Sequence, residues 1–444
     1  MSRKGLTGLY ANSNLVPTPD SNNFDTIFRL VGFPNSLFAK KANGVVYPIS
    51  DGVGIVSIDV GKTLFVDAQF GNDLTGLPNR QDKPFATILI ADSYANGGDT
   101  INVRPGNYSA SYLAAGKDGV SYHFEDGAIV TGSIIFSTAG SINVTGSGTF
   151  RASSVVLNTY GTGNSIYFEA HYMESGLYCI KANAGNTKIT IDVKTDMKST
   201  HATEQVVRID EHQKVYINCS RFIGKGGLVL STGYDDSELI IHANSYIYSP
   251  AGTGYVGFNI TNGRNEFYGD IYADGVGFYG TPVIWLDNWN SDVHTAQFFG
   301  DIYSTCTDPL IWVTLNNGSA DFYGKINKVS AIIVSNGIVN FRNDIISNQV
   351  ATAVIQHNGG KCIVSAFLKN LNADPSSHGV LVSGAGLILH SPTVIYITDN
   401  NAYAVFAAAA QSIKSYRTCS NKGVNINVTE LVSVILVDAA VDSQ

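Results

Sequence analysis

Nine stretches of this chain can be laid under one another, and a chain that repeats itself at this period has few folds open to it. The copies begin at Lys188, Lys214, Glu238, Arg264, Thr295, Ser319, Ile338, Lys361 and Gly386. By subtraction, successive starts lie 26, 24, 26, 31, 24, 19, 23 and 25 residues apart. The clearest copies read Phe267-Tyr-Gly-Asp-Ile-Tyr272, Phe298-Phe-Gly-Asp-Ile-Tyr303, Phe322-Tyr-Gly-Lys-Ile-Asn327 and Phe341-Arg-Asn-Asp-Ile-Ile346. Self-similarity at periods of roughly 20–50 residues marks a solenoid, whose units bury a face only by stacking on the next unit.

Each copy alternates with period two, which is a strand pattern. Phe267, Gly269 and Ile271 fall on one face; Tyr268, Asp270 and Tyr272 fall on the other. A glycine between two large apolar residues is expected to leave room for a bulky neighbour. Between the copies lie short apolar runs such as Val283-Ile-Trp-Leu286, Leu310-Ile-Trp-Val-Thr314, Ala331-Ile-Ile-Val334 and Gly379-Val-Leu-Val382, bounded by turn residues. Two or three strands per unit of about 24 residues give one coil of a single-stranded parallel β-helix. No amphipathic 3.6-residue stripe of the length a helical repeat needs recurs, so the expected class is all-β.

Composition agrees with this. Only 14% of the 444 residues are charged and 45 are glycine, which fits a turn-rich β protein. The net charge of −8 and the lack of a basic block argue against a nucleic-acid partner. The five cysteines are scattered without CxxC spacing, so no metal or disulfide framework is expected, and Cys219 reads as a small buried residue. No stretch reaches the ~20 apolar residues of a membrane span. Met1-Ser-Arg-Lys4 is basic but Gly5 to Asp20 has no apolar core of a signal peptide, so folding in a cytoplasm is expected.

The organisation falls into three parts. Residues 1–60 carry Pro17, Pro19, Pro34 and Pro48 and no coil repeat, and are expected to form a separate docking segment, extended or a small β module. Residues 61–427 are the β-helix. Residues 428–444 contain the most apolar strand-like run, Val428 to Asp438, expected to be a C-terminal cap or a strand that pairs with another subunit. Near the start of the coil, Ala86 to Ala95 is the one good helix candidate, placed to plug the open end of the solenoid.

That opening carries Leu64-Phe-Val-Asp-Ala-Gln-Phe-Gly-Asn-Asp73, then Lys83-Pro-Phe-Ala-Thr-Ile88, then Gly97-Gly-Asp-Thr-Ile-Asn-Val-Arg-Pro-Gly-Asn-Tyr108. Over these roughly 45 residues the chain resembles the first coil of right-handed parallel β-helix proteins of the pectin-lyase-like superfamily. The resemblance implies a right-handed coil with a capping helix. It does not imply one activity, since that superfamily spans pectin-degrading enzymes, bacterial surface proteins and phage tail spikes and fibres.

For chemistry, one constellation stands out. The outward positions of consecutive copies stack as Asn244, Asp270, Asp301, Lys325 and Asp344. Asp270 and Asp301 on adjacent rungs lie roughly one strand spacing, about 5 Å, apart, which is also about the separation of a retaining glycosidase pair. They are the candidate catalytic acids. Tyr268, Tyr272, Phe299, Tyr303 and Tyr323 flank them as glycan-contact or subunit-interface candidates. Asp235, Asp236 and Glu238 form an acidic turn of the kind that can hold calcium, although a solvated acidic loop is the plainer reading and no cofactor is expected.

These features fit three functions. The first is a structural phage tail spike or fibre protein, made in the host cytoplasm and residing in the virion. It would be anchored to other tail proteins through residues 1–60 and bind a host surface polysaccharide. The resemblance to tail spikes implies a homotrimer, with Trp285, Trp289 and Trp312 as candidates for burial between subunits. The second is a polysaccharide lyase or glycosidase on the same coil, and the third a bacterial surface adhesin.

Overall fold

The copies align because each is the same strand on successive rungs. The computed structural model describes residues 61–109, 113–114, 119–136, 140–160, 162–183, 185, 187–232, 236–248, 257–274, 282–288, 294–305, 310–327, 331–347, 353–372, 378–384, 386–389 and 393–397, with individual strands on either side. Lys188 pairs with Lys214, Lys214 with Glu238, Glu238 with Arg264, Arg264 with Thr295, Thr295 with Ser319, Ser319 with Ile338 and Ile338 with Lys361, all parallel. The last step continues one residue on, as Cys362 with Leu387. The period in the sequence is therefore the hydrogen-bond register of a parallel β-solenoid with coils of about 24 residues.

Each coil contributes to three parallel sheets. The first contains the repeat starts. The second follows a corner, as in Ile271↔Ile302↔Ile326↔Ile345. The third holds the intervening apolar runs, stacked Ile284↔Ile311↔Ile332↔Ile355↔Val380. Alternation then places one side chain in two inside. Ile191, Ile217, Ile241, Phe267, Phe298, Phe322 and Phe341 are all buried, and the four Phe rings stack with centroids 4.8, 5.0 and 5.2 Å apart. Such a column supplies apolar burial on every rung and ring–ring contact across the four Phe rungs.

Cys179, Cys219 and Cys362 are buried free thiols, and burial pushes the Cys362 thiol up to about 12. Among the described residues there is one α-helix, Ile88–Tyr94, shorter than the expected Ala86 to Ala95. Thr87 takes the N-cap position, its hydroxyl accepting the Ile90 N–H at 3.3 Å. Ile88, Ala91 and Asp92 are buried, and Asp92 accepts the Tyr122 hydroxyl at 2.5 Å.

The opening motif is the wiring of this cap. Asp67 accepts the Gln69 and Phe70 amides at 2.9 and 3.0 Å and meets Arg104 at 3.2 Å. Burial would raise its pKa, but these donors outweigh burial and hold it below the usual carboxylate range. Asp73 accepts the Ala86 and Thr87 amides and the Thr87 hydroxyl. Asp99 binds the amides of Lys62 and Asn96. Tyr108 accepts the Ala68 amide and donates to the Arg104 carbonyl at 2.9 Å. At Gly71 a Cβ would stand 2.1 Å from the Phe85 carbonyl oxygen, so the loop closes only without a side chain.

Strands before residue 50 form their own sheet. Leu9–Tyr10 pairs parallel with Thr26–Leu30, which continues antiparallel through Leu37–Lys40 to Val46–Ile49. At the other end Val434–Val437 stacks parallel on Ile413–Tyr416 as a further rung; the rest of 428–444 lies outside the described residues.

No helix among the described residues is long and apolar enough to cross a membrane.

One buried group makes the rod sensitive to acid. His294 is fully buried, paired in register with Gly263 and Gly318, and neither ring nitrogen has a hydrogen-bond partner among the described residues. Burial penalises the imidazolium and lowers its pKa from 6.5 to about 4. The unfolded chain therefore takes the proton first, and stability falls as pH drops from about 6.5 to about 4, by roughly 3 kcal/mol at most. Thermal unfolding of a His294→Leu variant is expected to show a shallower loss across that window than the parent. An unchanged pH profile would contradict this origin.

Candidate functional site

The hexapeptide repeat is a strand, a corner and a second strand. The strand Gly263–Tyr268 ends before Gly269, and Ile271–Asp274 begins after Asp270. The next rung breaks in the same place, between His294–Phe298 and Ile302–Ser304. The alternation expected from the sequence survives because Phe267 and Ile271 both point inward across the bend.

The corner glycines do not make room for a bulky side chain. They make room for backbone. A Cβ at Gly300 would lie 2.0 Å from the Gly269 carbonyl oxygen, and one at Gly324 would lie 1.9 Å from that of Gly300. Gly269 also has a φ of 100°, a region that favours glycine.

The acids beside these glycines tie rung to rung. Asn244 Oδ1 accepts the Asp270 amide at 3.0 Å, Asp270 Oδ1 accepts the Asp301 amide at 2.9 Å, and Asp301 Oδ1 accepts the Lys325 amide at 2.7 Å. The backbone returns the link: the Ser245 amide donates to the Asp270 carbonyl at 2.7 Å and the Ile271 amide to the Asp301 carbonyl at 2.8 Å. The second carboxylate oxygens are used as well, accepting the hydroxyls of Tyr272 at 3.2 Å and Tyr303 at 3.1 Å. The bond to Asp301 is the main cause that raises the Tyr303 phenol pKa. Lys325, on the next rung, sends its ammonium to Asp344 at 3.8 Å rather than to the pair.

The aromatic candidates form two columns, one on each side of the corner. His242, Tyr268, Phe299 and Tyr323 stack with centroids 4.3, 4.4 and 4.8 Å apart, and the Arg342 guanidinium closes the column over Tyr323 at 5.1 Å. Tyr268 also donates to Glu266, which Arg264 holds at 2.5 Å. Tyr246, Tyr272 and Tyr303 stack at 4.9 and 5.1 Å, with ring planes 10° and 7° apart. Within the column the rings turn their faces to each other; it ends at Tyr303, whose register partner on the next rung is Asn327.

Beside the second column lies a groove of about 300 Å³ lined by Tyr246, Tyr248, Tyr272, Asp274, Tyr303 and Thr305 over Ala273 and Ser304. It gathers Tyr272 and Tyr303 from the expected contacts and leaves Tyr268, Phe299 and Tyr323 on the other side of the corner. Tyr246 and Tyr248 were missed. Their signal is register: Tyr246 pairs with Tyr272 and Tyr248 with Asp274, although their segment lacks the Phe-Tyr-Gly-Asp core.

Of the acidic turn, the described Asp236 and Glu238 are engaged with other side chains. Asp236 bonds His212. Glu238 accepts the Tyr216 hydroxyl at 2.5 Å and meets Arg264 at 3.4 Å. Asp235 lies outside the described residues, as does Trp289. Among the described residues no group of three or more His, Cys, Asp or Glu side chains is placed to hold a metal ion. Trp285 and Trp312 stack at 6.1 Å on the outer face of the third sheet, half-buried.

The chain matches no protein-family model, no curated protein and no solved structure. What the structure supports of the sequence reading is the parallel β-solenoid itself; no relative supports the resemblance of the opening motif to pectin-lyase-like proteins.

The corner can be tested directly. Gly300→Ala forces a Cβ onto a carbonyl oxygen and is expected to cost about 1–3 kcal/mol in denaturant unfolding. Asp301→Ala strands the Lys325 amide and the Tyr303 hydroxyl and is expected to cost a similar amount. Asp301→Asn keeps an acceptor, as Asn244 does two rungs below, and is expected to cost less than half as much. Equal losses for Ala and Asn would show that the side-chain oxygen does not carry the link.

Proposed function

We propose that this chain is a non-catalytic rod of a phage tail spike or fibre that binds a host surface glycan through the Tyr-lined groove. One observation carries the non-catalytic part: all four carboxylate oxygens of Asp270 and Asp301 already accept hydrogen bonds that hold the corner together. A general acid or nucleophile needs an oxygen open to the scissile bond. These oxygens face backbone amides and phenols of their own rod.

The attachment reading draws on three supports. A solenoid of stacked rungs is a stiff, extensible scaffold with one repeated surface. The separate four-stranded sheet before residue 50 suits a docking module for other tail proteins. The opening motif resembles the first coil of a superfamily that includes tail spikes. By the same likeness the working assembly is a homotrimer, with the half-buried Trp285 and Trp312 pair as an interface candidate.

Light scattering coupled to size exclusion is expected to give three times the chain mass of 47.4 kDa. Incubation with host surface polysaccharide is expected to leave the polymer's length and its reducing ends unchanged while the protein co-sediments with it. A monomer would count against the tail reading. Shortening of the polymer, abolished by Asp270→Asn or Asp301→Asn in a folded protein, would replace it with the glycosidase reading.

A further inference from the structure

We infer that the groove seats a single uncharged sugar unit face-on against Tyr248, so that the rod selects neutral over acidic polysaccharides. The inference rests on the glycan-binding reading above and specifies its ligand.

The columns decide which ring is free to receive a sugar. In Tyr246, Tyr272 and Tyr303 each ring covers its neighbour, so a pyranose cannot lie on a face between them. Tyr248 differs. It stands two residues along the same strand as Tyr246, with nearly parallel rings 6.4 Å apart. Its register partner on the next rung is Asp274 rather than an aromatic residue. A short side chain there leaves a step above the Tyr248 ring, which is 49% exposed. Tyr272, Tyr303, Asp274 and Thr305 line the groove around it. An aromatic face with polar groups beside it matches a sugar, which presents C–H groups on one side and hydroxyls at its rim. At about 300 Å³ the groove sits at the small end of ligand pockets, suited to one ring of a chain that continues along the rod.

Charge settles which sugars fit. Asp274 accepts the Thr305 hydroxyl at 2.6 Å through Oδ1, and its other oxygen is the acceptor a sugar hydroxyl would meet. Asp270 and Asp301 accept the hydroxyls of Tyr272 and Tyr303. The nearby cations are engaged elsewhere: Arg221 pairs with Asp196 at 2.7 Å and Lys325 with Asp344 at 3.8 Å. A uronic or sialic acid would bring its carboxylate towards like charge, and among the described residues the nearby cations, Arg221 and Lys325, each already hold a carboxylate of the rod. A neutral hexose donates hydroxyls to the same groups at no such cost.

The test is calorimetric titration of the full-length protein with neutral gluco-, galacto- and manno-hexasaccharides and with a galacturonic acid hexasaccharide. Binding of a neutral probe is expected, weakened at least tenfold by Tyr248→Ala and unaffected by Tyr323→Ala, which lies on the other column. Asp274→Asn is expected to narrow the preference against the acidic probe, and unchanged thermal unfolding of each variant confirms folding. Tighter binding of the acidic probe, or neutral binding that survives Tyr248→Ala, would overturn the inference while leaving glycan binding intact. Failure of every probe to bind would overturn both.

Discussion

The approach of one rung's backbone to the next at the Gly-Asp corner is the contact on which the rest of this structure depends. Strand ladders can stack rungs anywhere along a sheet, but at a corner the ladder is interrupted and amides lose their partners. Here a glycine lets the carbonyl of the rung below come within reach, and an acid or amide beside it accepts the amide of the rung above. Each such bond is worth about 1 kcal/mol net, and leaving the amide unmet costs more. Repetition turns a modest local term into a constraint on the whole rod, because a slip at one corner would misalign every ladder beyond it.

With the register fixed, like residues must stack. The inner Phe column and both outer aromatic columns follow from the same alignment, one rung spacing at a time. Stacking also alters what the surface offers. A column of rings looks in sequence like a platform for sugars, yet its faces are consumed by its own neighbours. The surface that remains for a ligand is where the column stops or changes residue type, as it does from Tyr248 to Asp274.

Much of this was legible in the chain itself. The nine aligned starts are the pairing register, because identical rungs impose the same pattern on each copy. The capping helix was legible from its flanking motif, and the structure explains that motif as a set of side chains that hold backbone amides, Asp67, Asp73 and Asp99 among them. The corner was not legible. Two inward residues four apart satisfy period-two alternation whether or not the chain bends between them, so Phe267 and Ile271 conceal the break at Gly269. The groove was only half legible, since Tyr246 and Tyr248 belong to a copy whose core residues have diverged. The engagement of Asp270 and Asp301 depends on three-dimensional acceptors that no spacing reveals.

Hydrogen exchange resolved to single amides tests the central claim, that side-chain acceptors carry the rod through its corners. The account predicts that the amides of Asp270, Asp301 and Lys325 are protected to within a few-fold of the strand amides on either side, such as Ile271 and Ile302. Exchange of those three at the rate of open loops, with the flanking strands protected, would contradict it.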